Sequence, residues 1–374
     1  MSTGGYAAAH LKVQLYKLVL ENFRCYRSLE QQFEAGTTII DGENGSGKTA
    51  LIEAIYWQST GRSFRHHKSS NLIRHQQKQL TVFSEYRDAT DHQRHLLGVR
   101  YTAQQKKTIK YNGEPVKRQT DVAQQFPVIA IDPGCFLWID HAPGFRRSYL
   151  DWLVFHVEPH YLSLWKQTQK TQQQLNRLLK KGHTRDLQVW QQQYAQLAQQ
   201  THKMRSQVFQ SIQQRFAKLV GHFMPDIHAL SLEYRKGWRD EDLLQLLIHK
   251  QELHHKLGYI DIGIHKADLV CMSESQSAQV FLSRGQKKLI AIIMYVIFIE
   301  LFESRHNKSP VICLDDIDSE LDNRALKILS DYLQQQPRQL FITTVNASTI
   351  DQYFGHHQVF HVEQDQQNNS ILSS

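Results

Sequence analysis

Eight residues, Gly42-Glu43-Asn44-Gly45-Ser46-Gly47-Lys48-Thr49, constrain this chain more than any others. They fit G-x-x-x-x-G-K-[ST] and stand between a β-branched run, Thr37 to Ile40, and a helical pattern with Leu51, Ile52, Ile55 and Tyr56 on one face. A strand that runs through glycines straight into a helix can curl its N–H groups around phosphate oxygens, and the helix start adds partial positive charge. In that context Lys48 bridges β- and γ-phosphates and Thr49 offers its hydroxyl to Mg2+. The pattern therefore implies an α/β core that binds ATP.

A second element is Val311-Ile312-Cys313-Leu314-Asp315-Asp316, an apolar run that delivers two carboxylates to the end of a buried strand. Asp315 is the candidate to hold Mg2+ through water, and Asp316 to orient or deprotonate an attacking water. A third element, Leu282-Ser283-Arg284-Gly285-Gln286, precedes a long apolar helix and marks a second helix start suited to an anion. It resembles the signature of ABC ATPases, and Ser319-Glu320-Leu321-Asp322 looks like their D-loop. That resemblance implies a head-to-tail dimer. In it Ser283, Arg284, Gly285 and Gln286 of one copy approach the nucleotide held by residues 42–49 of the other.

Between these motifs the chain changes texture. Apolar residues at Val13, Leu15, Leu18 and Leu20 suggest a strand, and Leu80–Tyr86, Leu96–Tyr101 and Thr108–Tyr111 suggest antiparallel strands closed by an Asn112-Gly113 turn. Pro127 to Ile131 is another buried strand candidate. From about Asp151 the pattern is helical. Tyr161–Lys181 ends near Gly182, and a second helix runs from Leu187 to about Met224, roughly 55 Å long. Its apolar residues, from Leu187 and Trp190 through Tyr194, Val208 and Phe216 to Val220, keep three-and-four spacing. The α/β pattern returns with a helix from Gln286, a helix near Arg324–Leu333 and a strand at Leu340–Val345. The expected architecture is an ABC-type P-loop ATPase head, a mixed sheet with an antiparallel subdomain, built from residues 1–150 and 275–374. Residues 151–274 form an inserted helical lobe with a long hairpin.

The order of motifs is similar to SMC-type heads, but the insertion is far too short for their arms. Several stretches resemble the RecF family more specifically: Leu20-Glu21-Asn22-Phe23-Arg24, Glu53-Ala54-Ile55-Tyr56, Thr60-Gly61-Arg62-Ser63-Phe64-Arg65, Asn112-Gly113-Glu114 and Leu150-Asp151-Trp152. The resemblance implies a protein that binds ATP and Mg2+, dimerises around the nucleotide, holds single-stranded, gapped and duplex DNA, and works with RecR, in a pathway with RecO, to load RecA. The alternative it leaves open is an SMC-like switch whose hydrolysis is incidental. Departures from the pattern imply slow hydrolysis. No glutamine follows Ile131-Asp132-Pro133, no histidine stands in Thr343-Thr344-Val345-Asn346, and Asp316 replaces the more usual glutamate. Gly263-Ile264-His265-Lys266-Ala267-Asp268 stands where the family usually has Gly-Pro-His-Arg-Ala-Asp.

Composition adds a boundary. Lys and Arg outnumber Asp and Glu by 44 to 36, which suits a polyanionic partner. Arg62, Arg65, Lys68, Arg74, Arg146 and Arg147 are the candidate phosphate contacts. The four cysteines show no metal-binding or disulfide spacing, and the histidine doublets, such as His254-His255, read as surface residues. Leu289 to Phe302 is too short to span a bilayer and no leader pattern opens the chain, so a cytoplasmic location without membrane contact is expected.

Overall fold

The computed structural model describes residues 13–373 apart from 67, 89–92, 105, 183–185, 228, 240–241, 275 and 366–368. The chain forms two compact units. One contains the described residues up to Phe136 and from Phe302 onward, and the other spans Leu137–Leu301. The second unit is wider at both ends than the insertion expected from sequence. Helix Pro143–Val157 belongs to it with the first part of the helix Arg284–His306, joined by a bond from the Tyr149 hydroxyl to the Met294 carbonyl. Trp152 also stacks on Phe298, with centroids 3.5 Å apart.

The first unit holds two six-stranded sheets. In one, the strands His357–Gln364, Thr37–Asp41, Leu340–Thr343, Val311–Leu314 and Val128–Ile131 lie parallel in that order, with Ser370–Ser373 antiparallel at the outer edge. Parallel strands covered on both faces need unbroken apolar runs. Val311–Leu314 is accordingly wholly buried, as is Leu340–Thr343. The second sheet is antiparallel, ordered Tyr26–Gln32, Val13–Phe23, Gln79–Asp88, Arg94–Thr102, Lys107–Tyr111 and Glu114–Pro115. Asn112 and Gly113, both at positive φ, make the tight hairpin turn expected from the dipeptide.

Helix Lys48–Thr60 is covered almost all round, rather than on the single face its pattern suggested. Residues of both sheets and this helix share one core, including Leu20, Leu51, Ile55, Trp57, Val82 and Phe341. Two of its buried polar side chains reach backbone carbonyls of neighbouring elements. Gln58 donates to the Val82 and Leu97 carbonyls, and Ser59 to that of Phe126.

In the second unit the helices Tyr161–Lys181 and Leu187–Phe223 form the expected hairpin, the first capped by Gly182 in the left-handed region. The buried stripe of the longer helix is apolar at its ends and polar at its middle. Arg205 is buried there, bonded to Asp151, Tyr161 and the Ile264 carbonyl, and Thr168 meets Thr201. Periodicity could not show this, because a buried arginine reads as a break in the stripe. The insertion is also not purely helical. Leu230–Arg235, Asp268–Ser273 and Gln276–Ser277 make a three-stranded antiparallel sheet. His254 is fully buried rather than at the surface, its Nε2 2.8 Å from Asp261. No helix among the described residues is long and apolar enough to cross a membrane.

Candidate nucleotide-binding site

Strand order brings the sequence motifs together. Thr37–Asp41 leads into the glycine loop, Val311–Leu314 ends in Asp315-Asp316, and Leu340–Thr343 lies between them. The carboxyl ends of adjacent parallel strands are where open α/β sheets place ligands. Thr343 links the motifs: its hydroxyl donates to Asp315 Oδ1 at 2.8 Å, and the Asp316 amide donates to it at 2.9 Å. Thr49 donates to the same Asp315 oxygen at 2.9 Å.

The glycines are sterically required. A Cβ on Gly42, at φ 142°, would lie 2.2 Å from the Val362 carbonyl oxygen. One on Gly47, at φ 123°, would lie 2.4 Å from Ser370 Oγ. Lys48 is only 4% exposed, and its ammonium donates to the Gly42 and Glu43 carbonyls at 2.7 and 2.9 Å. It thus spans the mouth of the loop.

Asp315 is buried, and among the described residues its side-chain partners are two threonine hydroxyls. Burial pushes its carboxyl up to about 6. The bond from Thr343 opposes this, and the charges of Asp316 and Asp132 add to it. Asp132 follows Val128–Ile131, at the position where no glutamine was found. Asp316 adopts φ 47° and ψ 41°, a left-handed conformation that strains most side chains and recurs at functional sites. No group of three or more His, Cys, Asp or Glu residues among those described could hold a metal. Mg2+ does not need one. It keeps several waters and uses one or two protein oxygens with phosphates, which the Thr49–Asp315 pair fits.

A cleft of about 610 Å3 opens beside the loop, lined by Asn44, Lys48, Thr49 and Asp316 together with Arg24, Arg65, Ile73 and His75. Arg24 is held by a bidentate pair to Glu53, with both bonds 2.9 Å, and the Ser63 hydroxyl also donates to Glu53. Three of the family-like stretches thereby meet in one network that fixes a guanidinium at the cleft. The outer hairpin had no sequence signal, yet it braces the loop. Gln364 donates to the Gly45 carbonyl at 2.9 Å and Ser370 to that of Ser46. Tyr26 donates to the Gly47 carbonyl at 3.2 Å.

The signature segment lies in the second unit. Ser283 and Gln286 form a reciprocal cap, with amide-to-side-chain bonds of 2.8 and 3.3 Å, and Ser283, Arg284 and Gly285 are exposed. Beside them Val280 and Phe281 are 85% and 58% exposed. Ser319 bonds the Asp316 carbonyl, and Asp322 caps the helix Asn323–Gln334.

Of the candidate phosphate contacts, Arg62, Arg65 and Lys68 are exposed. Arg74 is half-buried and donates to the Cys25 carbonyl. Arg146 and Arg147 make bonds within the protein. Arg146 makes a bidentate pair with Asp268 at 2.8 Å and donates to the Ile139 and His141 carbonyls, while Arg147 donates to that of Ala267. These bonds tie helix Pro143–Val157 to the start of the strand Asp268–Ser273.

The RecF/RecN/SMC N-terminal domain family matches residues 14–370. The chain is 32% identical over 368 residues to the DNA replication and repair protein RecF of Marinobacter nauticus, covering 94% of this chain and 98% of that one. It is 32% identical over 356 residues to the protein of the same name from Shewanella frigidimarina, with the same coverage. Among solved structures, the recombination mediator protein RecF with ATP superposes with a TM-score of 0.84 at 25% identity, covering 99% of this chain and 100% of that one. The Smc head domain of Pyrococcus furiosus shares the fold, with a TM-score of 0.59 at 16% identity and 96% coverage of each chain. The fold, the ordered motifs and these likenesses agree: the chain belongs to the RecF family of ABC/SMC-type ATPases.

Proposed function

We propose that this protein is an ATP-driven, DNA-binding clamp of recombinational repair and replication restart. In this reading it dimerises around Mg2+-ATP, hydrolyses it slowly, and acts with RecR, in a pathway with RecO, to promote RecA loading on gapped DNA. The observation that carries it is the Thr49–Asp315–Thr343 linkage, which sets a hydroxyl and a buried carboxylate beside the loop. The membership described above supports the repair assignment, and its solved relatives include RecF with ATP.

In the proposed mechanism the loop amides receive the phosphates and Lys48 turns its ammonium from the Gly42 and Glu43 carbonyls to the β- and γ-oxygens. Thr49 and Asp315 would hold Mg2+, which would neutralise charge developing on those oxygens. The Asp316 carboxylate orients the attacking water. Ser283 and Gly285 of a second copy close the site, and the exposed Val280 and Phe281 beside them suit an interface that forms only in the dimer. Arg62, Arg65 and Lys68 supply sequence-independent phosphate contacts.

Sedimentation of the pure protein with and without ATP and gapped DNA tests the reading. The expected result is a doubling of mass in ATP and a heavier complex when gapped DNA is added. A single-chain mass under every condition would overturn it.

A pH dependence follows from Asp315. Its folded pKa, about 6, lies above its ordinary 3.8, so the folded state holds the extra proton between those values and stability falls as pH rises through that window. Cation binding needs the carboxylate, so the Mg2+-dependent part of ATP affinity rises with pH up to about 6 and flattens above it. The expected change below that pH approaches tenfold per unit, about 1.4 kcal/mol. Calorimetric titrations at about pH 5 and about pH 7.5 measure it, and Asp315→Asn should remove the dependence along with most Mg2+-dependent affinity.

A further inference from the structure

The second unit carries a cleft of about 720 Å3 that has no part in the nucleotide chemistry. It lies where helix Leu187–Phe223 meets the edge strand Leu230–Arg235. Its wall is aromatic. Tyr234 stacks on His202, with centroids 5.7 Å apart and planes 28° from parallel, and Phe209 lies 5.8 Å from Tyr234. Trp238 meets His202 edge-on at 5.4 Å. Phe209, Tyr234 and Trp238 are all only half-buried, so contiguous ring surface stays in contact with solvent.

Charge narrows the choice of ligand. Among the described residues no acidic side chain lines the cleft, whereas Arg235 and Lys236 do, and the Lys236 ammonium sits 5.3 Å from the centroid of Trp238. Arg235 pairs with Glu233 at 3.0 Å, but that pair is solvated and readily exchanged for a phosphate. Lys203 and Arg239, neighbours in sequence to His202 and Trp238, are exposed. Ring faces interleaved with cations suit unstacked bases on a phosphate backbone. A duplex keeps its bases stacked inside and would use the cations without the rings.

We propose that this cleft binds single-stranded nucleic acid, with bases stacked on Tyr234 and Trp238 and phosphates held by Arg235 and Lys236. The proposal rests on the DNA-binding reading above and adds a strand-specific subsite to it.

Fluorescence anisotropy of the full chain with a labelled oligothymidylate, and with a duplex of equal length, tests it. Trp238→Ala should weaken single-strand binding about tenfold and leave duplex binding within about twofold. Trp238→Phe should restore most of the loss, which separates lost stacking from lost folding. Lys236→Gln should weaken single-strand binding severalfold and flatten its salt dependence. Equal losses on single strand and duplex would overturn the proposal. So would unchanged single-strand affinity in both Trp238→Ala and Lys236→Gln, and if duplex binding persisted the cleft would fall to a peptide partner. Failure of the parent to bind either DNA would instead overturn the DNA-binding reading itself.

Discussion

Lys48→Ala is expected to abolish ATP-stimulated association and to weaken ATP binding by about 100-fold or more, because bonds between charged groups contribute about 1.5–3 kcal/mol each. The ammonium already spans the loop mouth between the Gly42 and Glu43 carbonyls, so it reaches the phosphates without rearranging the backbone. The nucleotide-free fold should lose about 1–3 kcal/mol, since the Gly42 carbonyl is buried and loses its donor. Sedimentation in ATP, with a thermal scan of the nucleotide-free protein, decides the matter. Dimerisation equal to that of the parent would remove Lys48 from the mechanism.

Asp316→Asn is expected to lower ATP turnover about 100-fold or more and to trap the ATP-bound dimer, because a positioned general base contributes about that much. The substitution is well controlled. Asparagine tolerates the left-handed backbone at φ 47° as readily as aspartate does, and it can keep the weak 3.5 Å contact with Thr343. Only the charge is lost. Turnover assays and size analysis after ATP is chased out provide the two readouts. A turnover and a monomer–dimer profile both equal to the parent's would favour the switch reading, in which hydrolysis is incidental and dimerisation alone carries the signal.

Local pattern made much of this protein legible. The glycine loop, the run Val311–Leu314 with its two aspartates, the Asn112-Gly113 hairpin and the two long helices depend on neighbours in sequence, and their spans closely match the structure. The strands beyond Ala229 escaped because they are short and their pairing is distant: Leu230–Arg235 alternates over only six positions, and its partner Asp268–Ser273 lies beyond two intervening helices. The ion pair of Arg146 with Asp268 was equally invisible, because an arginine has the same letter whether it faces solvent or an aspartate 122 positions away.

The chemistry of the phosphate loop was written in consecutive residues, because glycine backbone freedom, a lysine and a threonine hydroxyl act within a single turn of chain. Only the tertiary structure decided what surrounds that loop. Arg24 is held by Glu53, the loop is braced by Gln364 and Ser370, and Asp315 joins Thr49 to Thr343 through contacts between residues up to 324 positions apart. Such contacts leave no period or spacing in a sequence, since they arise from strand order, and strand order is settled by which buried faces pack together.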